Sequence, residues 1–182
     1  MKQIIAMHGW SGDSGSWDLW ARHFQSHGWY WQSGERGYGE KPPKNPSWIQ
    51  RSSNDSQIRQ VVIGHSLGPH LLANDVLMHA TDVILLASFG QFLSKNSTNR
   101  SLQTALLGMR KQLGTGKEQT MLRSFLSKAC YPIKPTAFPP GPIEQGLSQE
   151  GRKKLKADLE LLIQTKGLPE GLSAKSKVLV VH

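Results

Sequence analysis

Gln60-Val61-Val62-Ile63-Gly64-His65-Ser66-Leu67-Gly68 is the stretch whose reading decides the fold. A run of strand-forming residues enters a Gly-x-Ser-x-Gly turn, and an apolar periodic segment with Leu71, Leu72, Val76 and Leu77 follows it. A buried strand that turns sharply into a helix, with a serine at the turn and glycines around it, is the pattern of a nucleophile elbow. The glycines let strand and helix crowd together, and the serine hydroxyl is left exposed on a strained backbone. The expected helix runs from Leu67 to Ala80, with Pro69 tolerated in its first turn, where the missing N–H has no partner to lose.

Working outward, the first half of the chain alternates short β runs with helical patterns, which predicts a parallel sheet covered by helices. Gln3–Met7 reads as a strand entering the turn His8-Gly9-Trp10. Ser16 is placed to cap a helix that carries Trp17, Trp20, Ala21 and Phe24 on one face and ends at Gly28. Trp29–Gln32 is a second strand, after which Gly37-Tyr38-Gly39 turns the chain into a proline-rich loop running to about Asp55. Asp82–Ala87 is the fourth strand. The pattern then turns helical, with apolar sets Leu102/Ala105/Leu106/Met109/Leu113, Met121/Leu122/Phe125/Leu126 and Leu155/Leu159/Leu162/Ile163. No strand interrupts that block, so it reads as a helical cap over 96–171 inserted into a core of 1–95 and 172–182, and Lys177–Val181 resumes the sheet.

The chemistry follows from the turn. A serine hydroxyl is a weak nucleophile unless a histidine takes its proton and a carboxylate orients that histidine. Ser66 is the candidate nucleophile. The backbone N–H of Leu67 and that of Trp10, the residue after His-Gly, are the candidate oxyanion donors, and the Trp10 indole is placed to wall an acyl pocket. The histidines show no metal-ligand spacing, so neither a metal nor a cofactor is expected.

Composition narrows the partners. The single cysteine, Cys130, excludes an internal disulfide and fits a reducing, cytoplasmic setting. The early apolar run Ile4-Ile5-Ala6-Met7 is too short for a signal peptide or a membrane span. Of the formal charge of +9, residues 1–99 contribute eight Lys/Arg against seven Asp/Glu, and residues 100–182 fourteen against six. Such asymmetry suggests an acidic partner. No nucleic-acid motif accompanies the basic residues, so neither nucleic acid nor a membrane is expected.

These residues resemble the α/β-hydrolase superfamily. His8-Gly9-Trp10 with Gly64-His65-Ser66-Leu67-Gly68 is most similar to the pimeloyl-[acyl-carrier-protein] methyl ester carboxylesterases of biotin synthesis. The resemblance implies a mostly parallel sheet with helices on both faces, an inserted helical cap, an acyl methyl ester substrate and an acidic acyl carrier protein as partner. It places Phe125 beside the acyl chain with Trp10, and makes the basic cap, with Arg110, Lys111, Arg123 and Lys128, the docking surface for the carrier. The chain departs from the family at Gly34-Glu35-Arg36-Gly37-Tyr38-Gly39, where relatives commonly carry Asp-x-Pro-Gly-x-Gly, and at Pro69. The triad acid and histidine of this fold follow the nucleophile in chain order. Ser88-Phe89-Gly90 after the fourth strand offers no carboxylate, and the sequence stops at His182. The expectation is therefore a C-terminally truncated carboxylesterase that is nearly inactive as a 182-residue chain. A general small-molecule esterase or thioesterase of the same fold, and a non-catalytic module that binds the carrier protein, are the alternatives.

Overall fold

The computed structural model describes residues 1–49, 58–93 and 100–182. Five strands, β1 (Lys2–Met7), β2 (Tyr30–Ser33), β3 (Arg59–His65), β4 (Asp82–Leu86) and β5 (Lys177–Val181), form one sheet in the order β2-β1-β3-β4-β5. Every pairing is parallel, with Ala6 opposite Ile63 and Ile63 opposite Ile84. The central strands read as unbroken apolar runs because both of their faces are covered. Ile5, Met7, Val62, Val83 and Leu85 pack on one side with Leu72, Val76, Leu77 and Ala80. Ile4, Ala6, Val61 and Ile63 pack on the other with Trp17 and Trp31, and with Ala21 and Phe24 of α1 (Asp18–Ser26). With α1 on one face and α2 (Asn74–Met78) on the other, this is a doubly wound parallel α/β sheet.

Two helices differ from their sequence expectation. Before α1 the chain makes a 3-10 turn over Ser14–Trp17, capped by Asp13, whose Oδ1 accepts from the Gly15 N–H at 2.8 Å. Ser16 is inside that turn and donates its hydroxyl to the Asp13 carbonyl, so it is not the cap. The segment expected to be one helix from Leu67 to Ala80 is broken. A 3-10 turn spans Gly68–Leu71, Leu72 and Ala73 are extended, and α2 starts at Asn74. Pro69 favours the tighter first turn, which closes through His70 N–H to the Leu67 carbonyl. The backbone of Asn74 is then met by Gly171, where a Cβ would stand 2.4 Å from the Asn74 carbonyl oxygen.

The block after β4 carries α3 (Arg100–Gln112), α4 (Glu118–Ala129), α5 (Pro142–Gln145) and α6 (Gln149–Gln164). Ser148 caps α6 by accepting from the Gly151 N–H. These helices have their own core of Leu106, Leu113, Met121, Leu122, Ile143, Leu155, Leu159 and Leu162, which Trp10, Tyr38 and Leu67 join from the sheet side. An antiparallel bridge between Gln91 and Lys166 ties the start of the block to its end. The expected boundary at 95/96 and the part of the proline-rich loop beyond residue 49 lie outside the described residues. Among the described residues no helix is long and apolar enough to cross a membrane.

Candidate active site

The chain strains its backbone at one place in the fold. Among the described residues, three that are not glycine adopt positive φ: Ser11 at 63°, Ser66 at 53° and Ala87 at 45°. Each lies just past the carboxyl end of one of three adjacent strands, β1, β3 and β4. Left-handed backbone at an L-residue costs about 1 to 2 kcal/mol, and such strain concentrates where a side chain must be aimed. The carboxyl edge of a parallel sheet is also where open α/β folds bind ligands.

Ser66 sits at the centre of this edge, and its neighbours explain the glycines around it. A Cβ on Gly64 would lie 2.3 Å from Pro69 Cγ, one on Gly68 2.3 Å from the Met7 carbonyl oxygen, and one on Gly9 2.9 Å from Ser66 Cβ. The elbow is therefore closed so tightly that only glycine fits on three sides of the serine. Ser66 itself is tied down by its backbone. Its N–H donates to the Leu86 carbonyl at 2.9 Å, and its own carbonyl accepts the Ser88 hydroxyl at 2.7 Å. The Ser66 hydroxyl takes no hydrogen bond from the described residues. It is not sealed away either, for among those residues the one buried side-chain polar atom without a partner is Trp17 Nε1.

Leu67 and Trp10 are buried beside it. Neither backbone N–H donates to any acceptor among the described residues. Buried amides without acceptors are rare; these two belong to the residue after Ser66 and to the residue after Gly9, where a Cβ would lie 2.9 Å from Ser66 Cβ. The Trp10 indole donates to the Leu155 carbonyl of α6 at 2.8 Å and meets Phe125 of α4 edge to face, with ring centroids 5.0 Å apart. Trp10, Leu67 and Phe125 thus share one apolar cluster.

A second set of groups, joined by no local sequence pattern, underpins the turn. The buried His8 ring contacts the Gly9 carbonyl through Nδ1 at 2.9 Å, while its Nε2 accepts the Arg36 N–H at 3.1 Å. With Nε2 accepting the Arg36 N–H, Nδ1 is the nitrogen left to donate to the Gly9 carbonyl. Glu35 accepts the N–H groups of Ser14 and Gly37 and lies 3.5 Å from His8 Nε2. Burial pushes its carboxyl up, but the hydrogen bonds it accepts more than offset this and hold it down at about 2. Arg36 makes a two-pronged pair with Asp158 of α6, at 2.6 and 2.7 Å, and the Tyr38 hydroxyl donates to the same carboxylate at 2.7 Å. The hydrogen bond to Asp158 holds Arg36 firmly charged, and burial, then Asp158, push the Tyr38 phenol far up, so that it stays a neutral donor. Arg36 and Asp158 are 122 positions apart, which is why spacing could not reveal them.

The remaining sequence candidates lie away from the serine. Arg110 and Lys111 are at the end of α3, and Arg123 and Lys128 are exposed on α4. Arg110 is paired with Glu160, whereas Lys111, Arg123 and Lys128 have no acidic partner among the described residues. No histidine among the described residues bonds to Ser66: His70 is bound to the Phe89 carbonyl, His79 to that of Asp75, and His27 to that of His23. The described residues hold no cluster of three or more His, Cys, Asp or Glu side chains able to bind a metal.

No family model matches the chain, and no curated protein matches it in sequence. Solved structures do match in shape. The chain is similar to the esterase EaEST from Exiguobacterium antarcticum, with TM-score 0.62 and 14% identity, covering 100% of this chain and 84% of that one. It is similar to MenH from S. aureus, with TM-score 0.55 and 14% identity, covering 98% and 74%. It is equally similar to the bottromycin epimerase BotH, with TM-score 0.61 and 11% identity, covering 98% and 71%. At these identities the likeness establishes the α/β-hydrolase fold, and an esterase and an epimerase share it.

Proposed function

We propose that this chain carries the nucleophile and oxyanion site of a serine ester hydrolase. The observation that carries the reading is the open Ser66 hydroxyl at φ 53°, flanked by the unpartnered amides of Trp10 and Leu67. Since the fold serves more than one chemistry, the reading rests on that site and not on the likeness alone. In the proposed reaction Ser66 Oγ attacks an ester carbonyl and the carbonyl oxygen takes the negative charge toward the two amides. The alcohol then leaves, and water releases the acid from the acyl-serine. Losing one such amide donor typically costs about 10² to 10³ in rate.

Attack also requires a group to take the serine proton, and the described residues bring none to Ser66. Turnover by the 182 residues alone is therefore expected to lie near background, and supplied base should raise it. The test is hydrolysis of a medium-chain methyl ester with and without added imidazole, by the protein and by Ser66→Ala. An imidazole-dependent rate that the variant lacks supports the reading; equal rates for the two proteins overturn it.

The finer form of the proposal is a carboxylesterase acting on pimeloyl-[acyl-carrier-protein] methyl ester in biotin synthesis. The family resemblance supports it, as do the contact of Trp10 with Phe125, suited to one side of an acyl chain, and the unpaired cations on the helical block. Arg123, Lys128 and Lys111 are better placed to meet an acidic carrier than Arg110, which Glu160 already holds. Reversing Arg123 and Lys128 to Glu should slow hydrolysis of the carrier-bound ester at low salt and leave the free methyl ester unaffected. Equal behaviour toward both substrates would discard the carrier.

A further inference from the structure

The oxyanion residue Trp10 is held from two directions by one helix. Its indole donates directly to the Leu155 carbonyl of α6. Its peptide is held indirectly. The Gly9 carbonyl accepts the Gly12 N–H at 3.2 Å and the His8 Nδ1–H at 2.9 Å. The Gly9–Trp10 bond is trans, so the Gly9 C=O and the Trp10 N–H point in opposite directions across one rigid plane. Whatever aims that carbonyl aims the amide. His8 is in turn held at Nε2 by the Arg36 N–H, and the Arg36 side chain is clamped by Asp158, one turn along α6 from Leu155. The same loop is pinned to α6 and its N-cap at three further points. The Tyr38 hydroxyl donates to Asp158, the Ser148 N–H donates to the Tyr38 carbonyl, and Lys154 Nζ donates to the Arg36 carbonyl. Gly151 completes the fit, since a Cβ there would lie 1.8 Å from the Tyr38 carbonyl oxygen.

Simpler roles explain less. An ion pair kept only for stability has no need to end on the carbonyl opposite the oxyanion amide, and a buried pair is weak evidence for stability in any case. We infer that Asp158, Arg36 and His8 are positioning residues that couple the seating of helix α6 to the direction of the Trp10 amide. The oxyanion site is assembled when α6 is docked on the Arg36–Tyr38 loop and loses its Trp10 donor when α6 lifts. A substrate that enters by displacing this helix would thereby meet a site that becomes competent only on closure. The consequence for catalysis rests on the proposed hydrolase reading; the coupling itself does not.

The test reads the Trp10 backbone and indole N–H peaks in ¹H–¹⁵N spectra of the full chain, assigned with Trp10→Phe for the indole. It also reads imidazole-supported ester hydrolysis. The series is Tyr38→Phe, Arg36→Lys and Asp158→Asn, with Glu160→Gln as a change on the same helix outside the clamp. Both Trp10 peaks should move in the order Tyr38→Phe, Arg36→Lys, Asp158→Asn and stay in place in Glu160→Gln. The supported kcat should fall about tenfold in Arg36→Lys, with KM changed less than about twofold. If Asp158→Asn does not fold, the two milder variants carry the test. A clamp that were merely structural would lower the melting temperature and leave the Trp10 peaks of the folded protein unmoved, and that result overturns the inference. Moved peaks without any Ser66-dependent hydrolysis uphold the coupling and reject the hydrolase reading instead.

Discussion

Strands β3 and β5 are nearly interchangeable as sequence, Gln60-Val61-Val62-Ile63 against Lys177-Val178-Leu179-Val180-Val181, yet their surroundings are opposite. In β3, Val62 and Ile63 are fully buried, with clusters on both faces and neighbours on both edges. In β5 every residue is exposed, Leu179 by 56%, and among the described residues β4 is its one neighbour. Apolar β-branched composition marks a strand; it does not say how much covers it. The strained serine stands at the end of the covered strand. A backbone held at positive φ persists only where its surroundings over-determine it, and β3 supplies that constraint where β5 does not.

The sharpest way to break this contrast is to spoil the packing around Ser66. Gly68→Ala would drive a Cβ to 2.3 Å from a backbone oxygen of β1, which cannot move without disturbing the sheet. A loss of about 4 kcal/mol or more is expected, enough to leave the variant insoluble or unfolded in urea titrations. A folded Gly68→Ala with an unchanged midpoint would mean that the elbow is looser than its geometry.

Next comes the core beneath the turn. Ile63→Ala removes a fully buried side chain between β1 and β4 and should cost about 3 kcal/mol. Leu179→Ala, the matching change in β5, should stay within about 0.5 kcal/mol. Chemical denaturation of the pair measures the difference between the strands directly, and similar losses would show that β5 is covered in solution.

Acid probes the same contrast through Glu35. Its folded pKa, at about 2, lies below the ordinary 4.5, so the group adds stability that is fully present above about pH 4.5. That stability is lost as pH falls from there toward 2. The contribution is at most about 3 to 4 kcal/mol, for 4.5 to about 2 at 1.36 kcal/mol per pKa unit. Glu35→Gln should be less stable than the parent at pH 7 and should flatten the acid limb of its stability curve. An unaltered acid limb in the variant would move the acid sensitivity to another carboxylate.

How much of this was legible in the sequence depends on distance along the chain. The strand runs, the parallel sheet and the Gly-x-Ser-x-Gly turn are local patterns, and periodicity and turn chemistry report them well. The break at Leu72–Ala73 was not legible, because the residues that meet Asn74 just after it, Glu170 and Gly171, come almost a hundred positions later. Asp13 outcompeted Ser16 as a cap because its carboxylate reaches the Gly15 N–H of a 3-10 turn that a helical reading does not anticipate. The Arg36–Asp158–Tyr38 cluster joins two segments with no common motif. One signal for it was present: a lone aspartate on the apolar face of α6, between Leu155, Leu159 and Leu162, must be buried, and a buried carboxylate needs a cation.

The smallest effect on stability belongs to β5, and there the expected consequence is association. A strand with an open row of backbone donors and acceptors and apolar side chains on both faces is a template for pairing with another chain. Leu179→Lys puts a charge on that strand where the side chain already meets solvent, so the fold should lose no more than about 0.5 kcal/mol. A charge at an edge opposes edge-to-edge pairing. Sedimentation over a range of concentrations should therefore show the parent protein associating and Leu179→Lys remaining monomeric, with superimposable unfolding curves at low concentration. If the parent is monomeric throughout, the exposed edge is already blocked, and the contrast between β3 and β5 becomes one of burial alone.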